Sequence, residues 1–419
     1  MRLDRAVAEA VLRDVIVACD PATRVREALG DPEIAARLAG RRRVAIAIGK
    51  AAWAMARGAG EVAEGIAVVP HGAGGPLPSG WRLLEATHPV PDERSVAAGL
   101  ALQAFVQDLR DTDVVLALLS GGASALAEVP IVALDEFVAT IRDVMAAGAP
   151  IDEINTVRGA LSAIKAGQLA LASPAPIITL AVSDVIGDAL AVIGSGPTIG
   201  PWLGAPGATS DGIAAHRSRA RAILARHGVA VPRLLESEPP APLAAPSGAR
   251  VDLARVIAPM ASAAQAAARA LASRGIAATL LEAPIAGEVE AVARGLAILH
   301  GTASFIAWGE PTLRVPERHG IGGRAQQLAL ILARAFRGTA RTALVAGTDG
   351  IDGPAPPDRP APAGAWIDGR TWDAIAAAGL DPAAALATCD AGTALAAAGA
   401  LIVTGPSGIN HADLVILGE

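Results

Sequence analysis

Two aspartates stand among glycines at the point where a predicted strand ends. The segment TALVAGTDGIDGPA (residues 342–355) begins with apolar residues and then places Asp349 and Asp352 between Gly347 and Gly353. In an open parallel α/β sheet, ligands bind outside the carboxyl ends of the strands. The two carboxylates therefore either shape a turn or handle a metal ion or a proton, and their spacing alone leaves both choices open.

Lysine is so rare in this chain that its positions stand out. Of 35 basic residues only Lys50 and Lys165 are lysines, in a composition rich in arginine, alanine and glycine. The compact lysine ammonium reaches a phosphate where a planar guanidinium does not fit. Lys50 directly follows the predicted strand VAIAI (44–48) and Gly49. We therefore interpret Lys50 as a phosphate ligand; the alternative is that a lysine occurs at this position by chance.

A glycine-rich junction follows another predicted strand. DVVLALL (113–119) runs into Ser120, Gly121, Gly122 and Ser124 ahead of a predicted helix. Backbone N–H groups of such a turn favour an anion. The chain contains neither GxxxxGK[ST] nor a GxGxxG in its first βα turn, so tight packing of helix on strand is the alternative.

The segment INTVRGALSAIKAGQLA predicts a helix across residues 156–171 with a polar stripe. Arg158, Ser162 and Lys165 recur at i, i+4 and i+7, and Asn155 stands near the start. Such a stripe could bind an anionic substrate; the alternative is an ordinary solvent-exposed face of the helix. We favour binding because lysine and asparagine are both rare here.

Three carboxylates and an arginine complete the candidate set. Asp184 and Asp188 follow a predicted strand, which suits Mg²⁺ because that ion takes one or two carboxylates plus phosphate oxygens. Turn formation is their alternative role. Glu310 comes after another predicted strand, and Arg324 begins a predicted helix behind two glycines, where it can neutralise phosphate charge.

The elements that position these residues alternate between strands and helices. This alternation predicts βαβ units and a mainly parallel sheet. The segment SEPPAPLAAPSGAR (237–250) lacks a periodic pattern and predicts a linker. We therefore predict an α/β fold with two domains, at residues 1–240 and 251–419.

Composition narrows the classes of partner. The 419 residues carry a net charge of −6, which argues against nucleic acid as the main partner. No clean span of about 20 apolar residues occurs, and the charged start lacks a signal-peptide core. Cys19 and Cys389 make no disulfide framework, and we expect neither His88 nor His411 to be a ligand. We expect a cytoplasmic protein with a small-molecule substrate and no membrane partner; a homodimer is compatible with the sequence.

Eight motifs, in their order along the chain, resemble those of the class II glycerate 2-kinase family. They are GK at 49–50, HPVPDE, LSGGASAL, INTVR with LSAIK.GQLA, SDVIGD with GSGPT, GGR.Q, GTDGIDGP, and TGPSG.N with DL. The match spans roughly residues 44–413, and the part at about 302–413 is the region called the MOFRL domain. Members of the family were often labelled hydroxypyruvate reductase.

The resemblance implies a fold, a reaction and two catalytic groups. The fold would be a larger Rossmann-like N-terminal domain and a smaller α/β C-terminal domain, with the active site in the cleft between them. The reaction would be ATP-dependent phosphorylation of D-glycerate at its 2-hydroxyl, with Mg²⁺, to give 2-phosphoglycerate. The family's catalytic lysine and arginine fall on Lys50 and Arg324, whose charges would stabilise the transferring phosphoryl group.

These motifs and the chemistry of their residues lead to four predicted roles. Catalysis is assigned to Lys50, Arg324 and Asp349. Nucleotide and phosphate binding are assigned to Ser120, Gly121, Gly122, Ser124 and Glu310. Substrate binding is assigned to Asn155, Arg158 and Lys165, and metal binding to Asp184, Asp188 and Asp352. The sequence does not rank the four aspartates between metal binding and proton transfer.

Two departures from the family pattern keep alternatives open. The usual GGRNQE reads GGRAQQ at 322–327, and Ala355-Pro356 replace the usual Thr-Asp after GTDGIDGP. One alternative is an NAD(P)H-dependent hydroxypyruvate reductase, although the usual glycine fingerprint is not evident. The other is a nucleotide- and glycerate-binding module that has lost catalysis.

Overall fold

A computed structural model describes residues 3–200, 210–236, 251–300, 303–355 and 359–419. The predicted linker (237–250) and Pro356 lie outside the described residues. The strands are β1 (Arg42–Ile48), β2 (Glu64–Pro70), β3 (Trp81–Ala86), β4 (Asp113–Leu119), β5 (Ile177–Val182), β6 (Val251–Ala258), β7 (Ala278–Leu280), β8 (Ile285–Glu288), β9 (Ser304–Thr312), β10 (Thr342–Gly347), β11 (Gly364–Asp368), β12 (Leu401–Ile402) and β13 (Asp413–Gly418). The helices are α1 (Arg5–Ala18), α2 (Pro21–Leu29), α3 (Pro32–Leu38), α4 (Ala52–Ala59), α5 (Glu93–Gln107), α6 (Ala123–Leu126), α7 (Leu134–Ala146), α8 (Ile151–Ala160), α9 (Gln168–Leu171), α10 (Ser210–Arg226), α11 (Arg233–Glu236), α12 (Ser262–Ala272), α13 (Val289–Ala297), α14 (Arg324–Phe336), α15 (Thr371–Ala377), α16 (Pro382–Ala387) and α17 (Ala391–Ala397).

The chain divides into two compact units. The first unit is Pro21–Ala258, and the second combines the residues up to Asp20 with Pro259–Glu419. These units differ from the predicted domains, which place the start of the chain in the N-terminal domain and β6 in the C-terminal one. In the structure α1 buries apolar residues such as Leu12 in the same core as α12, whereas β6 pairs with β5. The apolar face of α1 is evident in the sequence, but the sheet that it covers is not.

The sheet of the first unit is parallel throughout. Its strand order is β3-β2-β1-β4-β5-β6. This is the order of a Rossmann-like doubly wound fold, which confirms the predicted fold class. The order reverses between β1 and β4, so their carboxyl ends open the crevice in which such sheets bind ligands.

The sheet of the second unit is mixed. Its order is β12-β11-β10-β13-β9-β7, and β8 also pairs with β9. Strand β10 is antiparallel to β11 and β13, and β13 is antiparallel to β9, whereas β7 and β8 run parallel to β9. In this register Asp413 lies opposite both Gly309 and Gly347. Three segments that are distant in sequence therefore meet where Asp413 pairs with β9 and β10.

Helices pack their apolar faces on the sheets of both units. In the first unit the two cores that flank the sheet include Ile46 and Leu116, which point to opposite faces of the sheet. In the second unit α14 contributes Leu328 to one core, and α12 contributes Leu271 to the other. No helix within the described ranges is long and apolar enough to cross a membrane.

Candidate active site

The turns after β1 and β4 meet where the strand order of the first sheet reverses. The backbone N–H of Lys50 donates to the carbonyl of Gly121 at 2.9 Å, and that of Ala51 donates to the Ser120 hydroxyl at 3.1 Å. A Cβ on Gly49 would lie only 2.2 Å from Ser120 Oγ, so only glycine permits this approach. Lys50 is thereby held beside the SGGAS loop, which comprises residues 120–124.

The SGGAS loop also brings a histidine next to Lys50. Gly122 has a φ of +83°, and a Cβ there would lie 3.2 Å from Lys50 Cγ and 3.1 Å from His88 Cδ2. The ring of His88 therefore lies against the same glycine as the stem of Lys50. His88 was expected not to be a ligand, although it belongs to the HPVPDE motif.

Two predicted substrate-binding residues lie together beside the SGGAS loop. Arg158 Nη1 donates to Asn155 Oδ1 at 2.9 Å and to Ser195 Oγ at 3.2 Å. The hydroxyl of Ser195 in turn lies 2.8 Å from that of Ser124 in the loop. Ser195 had no predicted role, although the GSGPT motif contains it.

The helix predicted across residues 156–171 does not form as one helix. Helix α8 ends at Ala160 and α9 begins at Gln168, and between them Ala166 (φ +53°) and Gly167 (φ +84°) are left-handed. The predicted polar stripe is therefore absent, and Lys165 is not on a solvated face. Lys165 is completely buried, and its Nζ donates to the Ala123 carbonyl of the SGGAS loop at 2.8 Å.

A buried carboxylate accompanies Lys165. Glu128 is also fully buried, accepts a hydrogen bond from the Ser162 hydroxyl, and accepts another from the Val129 N–H at 2.9 Å. Burial lowers the pKa of Lys165 to about 8 against the opposing attraction of Glu128, and burial raises the pKa of Glu128. Lys165 thus supports the loop from the protein interior, and sequence analysis missed Glu128.

Arg324 is the centre of a charged cluster in the second unit. It begins α14 directly after Gly323, as predicted, and its Nε and Nη2 donate to Asp413 at 2.7 and 3.2 Å. Its Nη1 donates to Glu310 at 2.7 Å; Glu310 lies within β9 rather than after it. Burial alone would lower the pKa of Arg324, but Asp413 and Glu310 raise it above its ordinary value. The guanidinium is therefore a permanent cation that is held in one orientation.

Asp413 is the main anchor of Arg324 and was not predicted. Its side chain is buried, and burial raises its pKa to about 7 although the attraction of Arg324 opposes this rise. Asp352 and Glu310 add a smaller upward effect. The only signal for Asp413 in the sequence was its place at the end of the TGPSG.N…DL motif.

Asp352 caps a helix, which does not fit its predicted metal role. Its carboxylate accepts the backbone N–H groups of Ala325 at 3.0 Å and Gln326 at 2.7 Å, and the Gln326 side-chain amide at 3.0 Å. Burial raises the pKa of Asp352, and these hydrogen bonds oppose the rise. The carboxylate satisfies orphan donors at the start of α14 instead of facing a ligand.

Asp349 lies beside the Arg324 cluster. It is partly exposed, and its Oδ1 accepts the N–H of Ile351 at 3.1 Å. A Cβ on Gly347 would lie 3.4 Å from Asp349 Oδ1 and 3.6 Å from Asp413 Oδ1, so both carboxylates approach the same glycine. The two aspartates of GTDGIDGP therefore differ in environment: Asp352 is buried and caps a helix, whereas Asp349 is partly exposed.

The residues present could bind Mg²⁺ only if few of its ligands come from the protein. Within the ranges that the structure describes, no three His, Cys, Asp or Glu side chains form a group that could hold a metal. Asp184 and Asp188 follow β5 in the first unit and are partly exposed. One or two carboxylates with phosphate oxygens and water are a common Mg²⁺ environment. Asp184 and Asp188 are accessible enough for such a role, whereas the Asp352 carboxylate is occupied by its hydrogen bonds to the start of α14.

Comparisons with known proteins place the chain in a family. The domain of unknown function DUF4147 matches residues 7–232, and the MOFRL family matches residues 303–413. The D-glycerate 2-kinase of Thermotoga maritima is 35% identical over 398 residues, which cover 89% of each chain. The chain belongs to the class II glycerate 2-kinase family. This confirms the resemblance on which the predicted fold rested.

A solved structure and another relative bear on fold and function. A crystal structure of the glycerate kinase from Thermotoga maritima matches with a TM-score of 0.81 and 32% identity, over 99% of this chain and 98% of that one. A protein of Agrobacterium vitis, named only provisionally as a hydroxypyruvate reductase, is 35% identical over 88% of this chain and 86% of its own. Both names used for this family therefore occur among the relatives.

Proposed function

We propose that the protein transfers the γ-phosphoryl group of ATP to the 2-hydroxyl of D-glycerate. The observation that carries this proposal is the position of Lys50, which is held against the SGGAS loop at the point where the strand order of the first sheet reverses. Ligands of such sheets bind there. Membership of a family with relatives named D-glycerate 2-kinase supports the same reaction.

We assign the binding steps to the first unit. Lys50 and the SGGAS loop would hold phosphate oxygens, because an ammonium and oriented N–H groups both attract an anion. Arg158 and Asn155 would hold the carboxylate of D-glycerate. Lys165 supports the loop from inside and does not contact the substrate in this assignment.

We assign two further roles to residues of the second unit: stabilising the charge of the phosphoryl group and accepting the proton of the hydroxyl group. Arg324 would stabilise the negative charge on the transferring phosphoryl group, as arginines do in other phosphoryl transfers. The oxygen of the 2-hydroxyl forms its bond to the γ-phosphorus while the bond to ADP breaks. Asp349 would accept the hydroxyl proton, because its carboxylate is partly exposed, whereas Asp413 is buried and the negative charge of Glu310 helps to orient Arg324. Glu310 was predicted to bind nucleotide, but its hydrogen bond favours a role in orienting Arg324.

Mg²⁺ completes the proposed site. Asp184 and Asp188 would hold it. When bound, the ion would neutralise charge on the phosphate oxygens of ATP.

The first experiment tests the reaction and Lys50 together. The purified protein with ATP, Mg²⁺ and D-glycerate is expected to form ADP and 2-phosphoglycerate, and phosphorus NMR identifies the phosphorylated position. Lys50→Met is expected to lower kcat on the order of 10³-fold, because the lysine no longer stabilises the negative charge on the phosphoryl group. Arg13→Met, which removes an exposed cation on α1, is the matched control and is expected to retain full activity.

Two outcomes would contradict the proposal. Sustained NADH oxidation with hydroxypyruvate and no ADP formation would identify the protein as a reductase. Binding of ATP and D-glycerate in a calorimeter, with no ADP formed under Mg²⁺, would identify a binding module. Near-normal turnover by Lys50→Met would remove the catalytic role of that lysine alone.

A further inference from the structure

Ser195 has a backbone conformation that side chains rarely adopt. Its φ is +60°, and the flanking Gly194 and Gly196 have φ values of +61° and +59°. Glycine populates this left-handed region freely, whereas a serine there is strained. Strain of this kind persists only where the surrounding structure imposes it, and it is concentrated at functional sites.

The neighbouring glycines fix the position of Ser195 against the SGGAS loop. A Cβ on Gly194 would lie 2.7 Å from the Cβ of Ala123 in that loop. A Cβ on Gly196 would lie 2.2 Å from the Ile199 carbonyl oxygen. The turn is therefore packed so closely on both sides that residue 195 cannot leave the left-handed conformation at low cost.

The hydroxyl of Ser195 explains why a serine occupies this strained position. It donates to Asn155 Oδ1 at 2.9 Å, lies 2.8 Å from Ser124 Oγ, and accepts from Arg158 Nη1 at 3.2 Å. A glycine at position 195 would relieve the backbone but would lose all three contacts. One side chain thus connects the SGGAS loop to Asn155 and Arg158 of α8.

The hydrogen bonds of Arg158 leave much of its guanidinium available. Within the described residues its Nη1 makes both of its hydrogen bonds, to Asn155 and Ser195, and its Nε and Nη2 make none. A planar guanidinium that is fixed at one nitrogen can still offer paired N–H groups to a carboxylate. Ser195 and Asn155 therefore set the direction in which Arg158 can bind an anion.

We propose that Ser195 is a positioning residue for the acceptor substrate. It holds Arg158 and Asn155 for the carboxylate of a 2-hydroxy acid, and through Ser124 it ties this subsite to the SGGAS loop. The backbone strain at Ser195 is retained for this purpose. The identity of the acceptor as D-glycerate rests on the proposed function.

The test separates substrate binding from stability by changing Ser195 in two ways. Ser195→Gly relieves the backbone and removes the hydroxyl, whereas Ser195→Ala removes the hydroxyl and keeps the strain. Both are expected to raise the KM for D-glycerate about tenfold or more, because a hydrogen bond to a charged group is lost, and to change the KM for ATP less than about twofold. The thermal midpoint of Ser195→Gly is expected to equal or exceed that of the wild type. Cys389→Gly, which relieves another left-handed residue (φ +49°) in the second unit, is the control and is expected to keep both KM values.

An unchanged KM for D-glycerate in both Ser195 variants, with normal wild-type turnover, would overturn the positioning role and leave the proposed function intact. Equal rises in both KM values with a lower midpoint for Ser195→Gly would also overturn it, since that pattern indicates general loosening. If the wild type does not phosphorylate D-glycerate, the proposed function fails, and a crystal structure of Ser195→Gly decides the inference. Displacement of the Arg158 guanidinium from Asn155 supports the role, and an unmoved guanidinium refutes it.

Discussion

At the scale of single residues, Asp413 shows how one buried carboxylate can both anchor a cation and destabilise the fold. Its two oxygens bind Arg324, yet burial raises its pKa to about 7. Removing the two charges from water costs free energy that their attraction offsets only in part, so the pair orients Arg324 without being evidence of net stabilisation. The orientation of Arg324 is what the proposed reaction needs.

The raised pKa of Asp413 leads to a prediction with a definite sign. An unfolded aspartate titrates near pH 3.9, so the ionised carboxylate disfavours the folded state by an amount that grows between about pH 4 and pH 7. The unfolding free energy of the wild type is therefore expected to fall relative to Asp413→Asn across that window, by at most about 1.4 kcal/mol per pH unit. Urea denaturation of both proteins at several pH values measures this difference. If the wild type instead gains stability relative to the variant as pH rises, the attraction of Arg324 outweighs burial.

At the scale of secondary structure, α14 depends on a side chain from a distant loop. Gly323 at the helix start offers no side chain, and Asp352 supplies the cap from 26 or 27 residues away. The position of Arg324 at the first turn of α14 therefore depends on this cap.

Asp352→Ala tests whether this carboxylate is a cap or a metal ligand. We expect the variant to lose about 1–3 kcal/mol of unfolding free energy, because buried donors lose their acceptor. The Mg²⁺ concentration that gives half-maximal activity is expected to stay unchanged, whereas Asp184→Asn is expected to raise it several-fold. Denaturant titrations and Mg²⁺ titrations of activity provide the two measurements. A higher Mg²⁺ requirement in Asp352→Ala would restore its predicted metal role.

At the scale of the whole molecule, the chain begins in the second unit, then forms the whole of the first unit, and then returns to the second. Helix α1 belongs to the second unit, whose strands β7 to β13 all follow Pro259. The second unit therefore cannot complete its core until nearly all of the chain is present. Its stability depends on a helix that is more than 200 residues away in sequence from the strands it supports.

Leu12→Ala is expected to weaken the second unit specifically. Leu12 is buried on α1, and its truncation is expected to cost about 2–5 kcal/mol. Hydrogen exchange monitored by mass spectrometry is expected to rise in β9, β10 and β13 and to stay constant in β1 and β4. Val17→Ala on the same helix is the matched control, because Val17 is 74% exposed and its truncation is expected to change stability by less than about 0.5 kcal/mol. Faster exchange in β1 and β4 of Leu12→Ala would contradict the assignment of α1.

Local features of this protein could be predicted from its sequence alone. Short apolar runs predicted β1, β4 and β5, and glycines next to polar residues marked the SGGAS loop and the start of α14. Such signals are carried by a few consecutive residues, because strand periodicity and turn chemistry are short-range effects. The ordered motifs then identified the family and, through it, Lys50 and Arg324.

Only the tertiary structure decided which residues meet. Arg324 and Asp413 are 89 residues apart, and Arg158 and Ser195 are 37 apart, so no local pattern pairs them. The break between α8 and α9 likewise follows from tertiary contacts, since directly after α8 the Ala163 N–H donates to the Val129 carbonyl instead of continuing a helix. Asp349 and Asp352 share one motif, yet one caps α14 and the other stays partly exposed. The reason is physical: burial, strand register and hydrogen-bond partners depend on how distant segments pack, whereas sequence periodicity reports only the preference of each segment by itself.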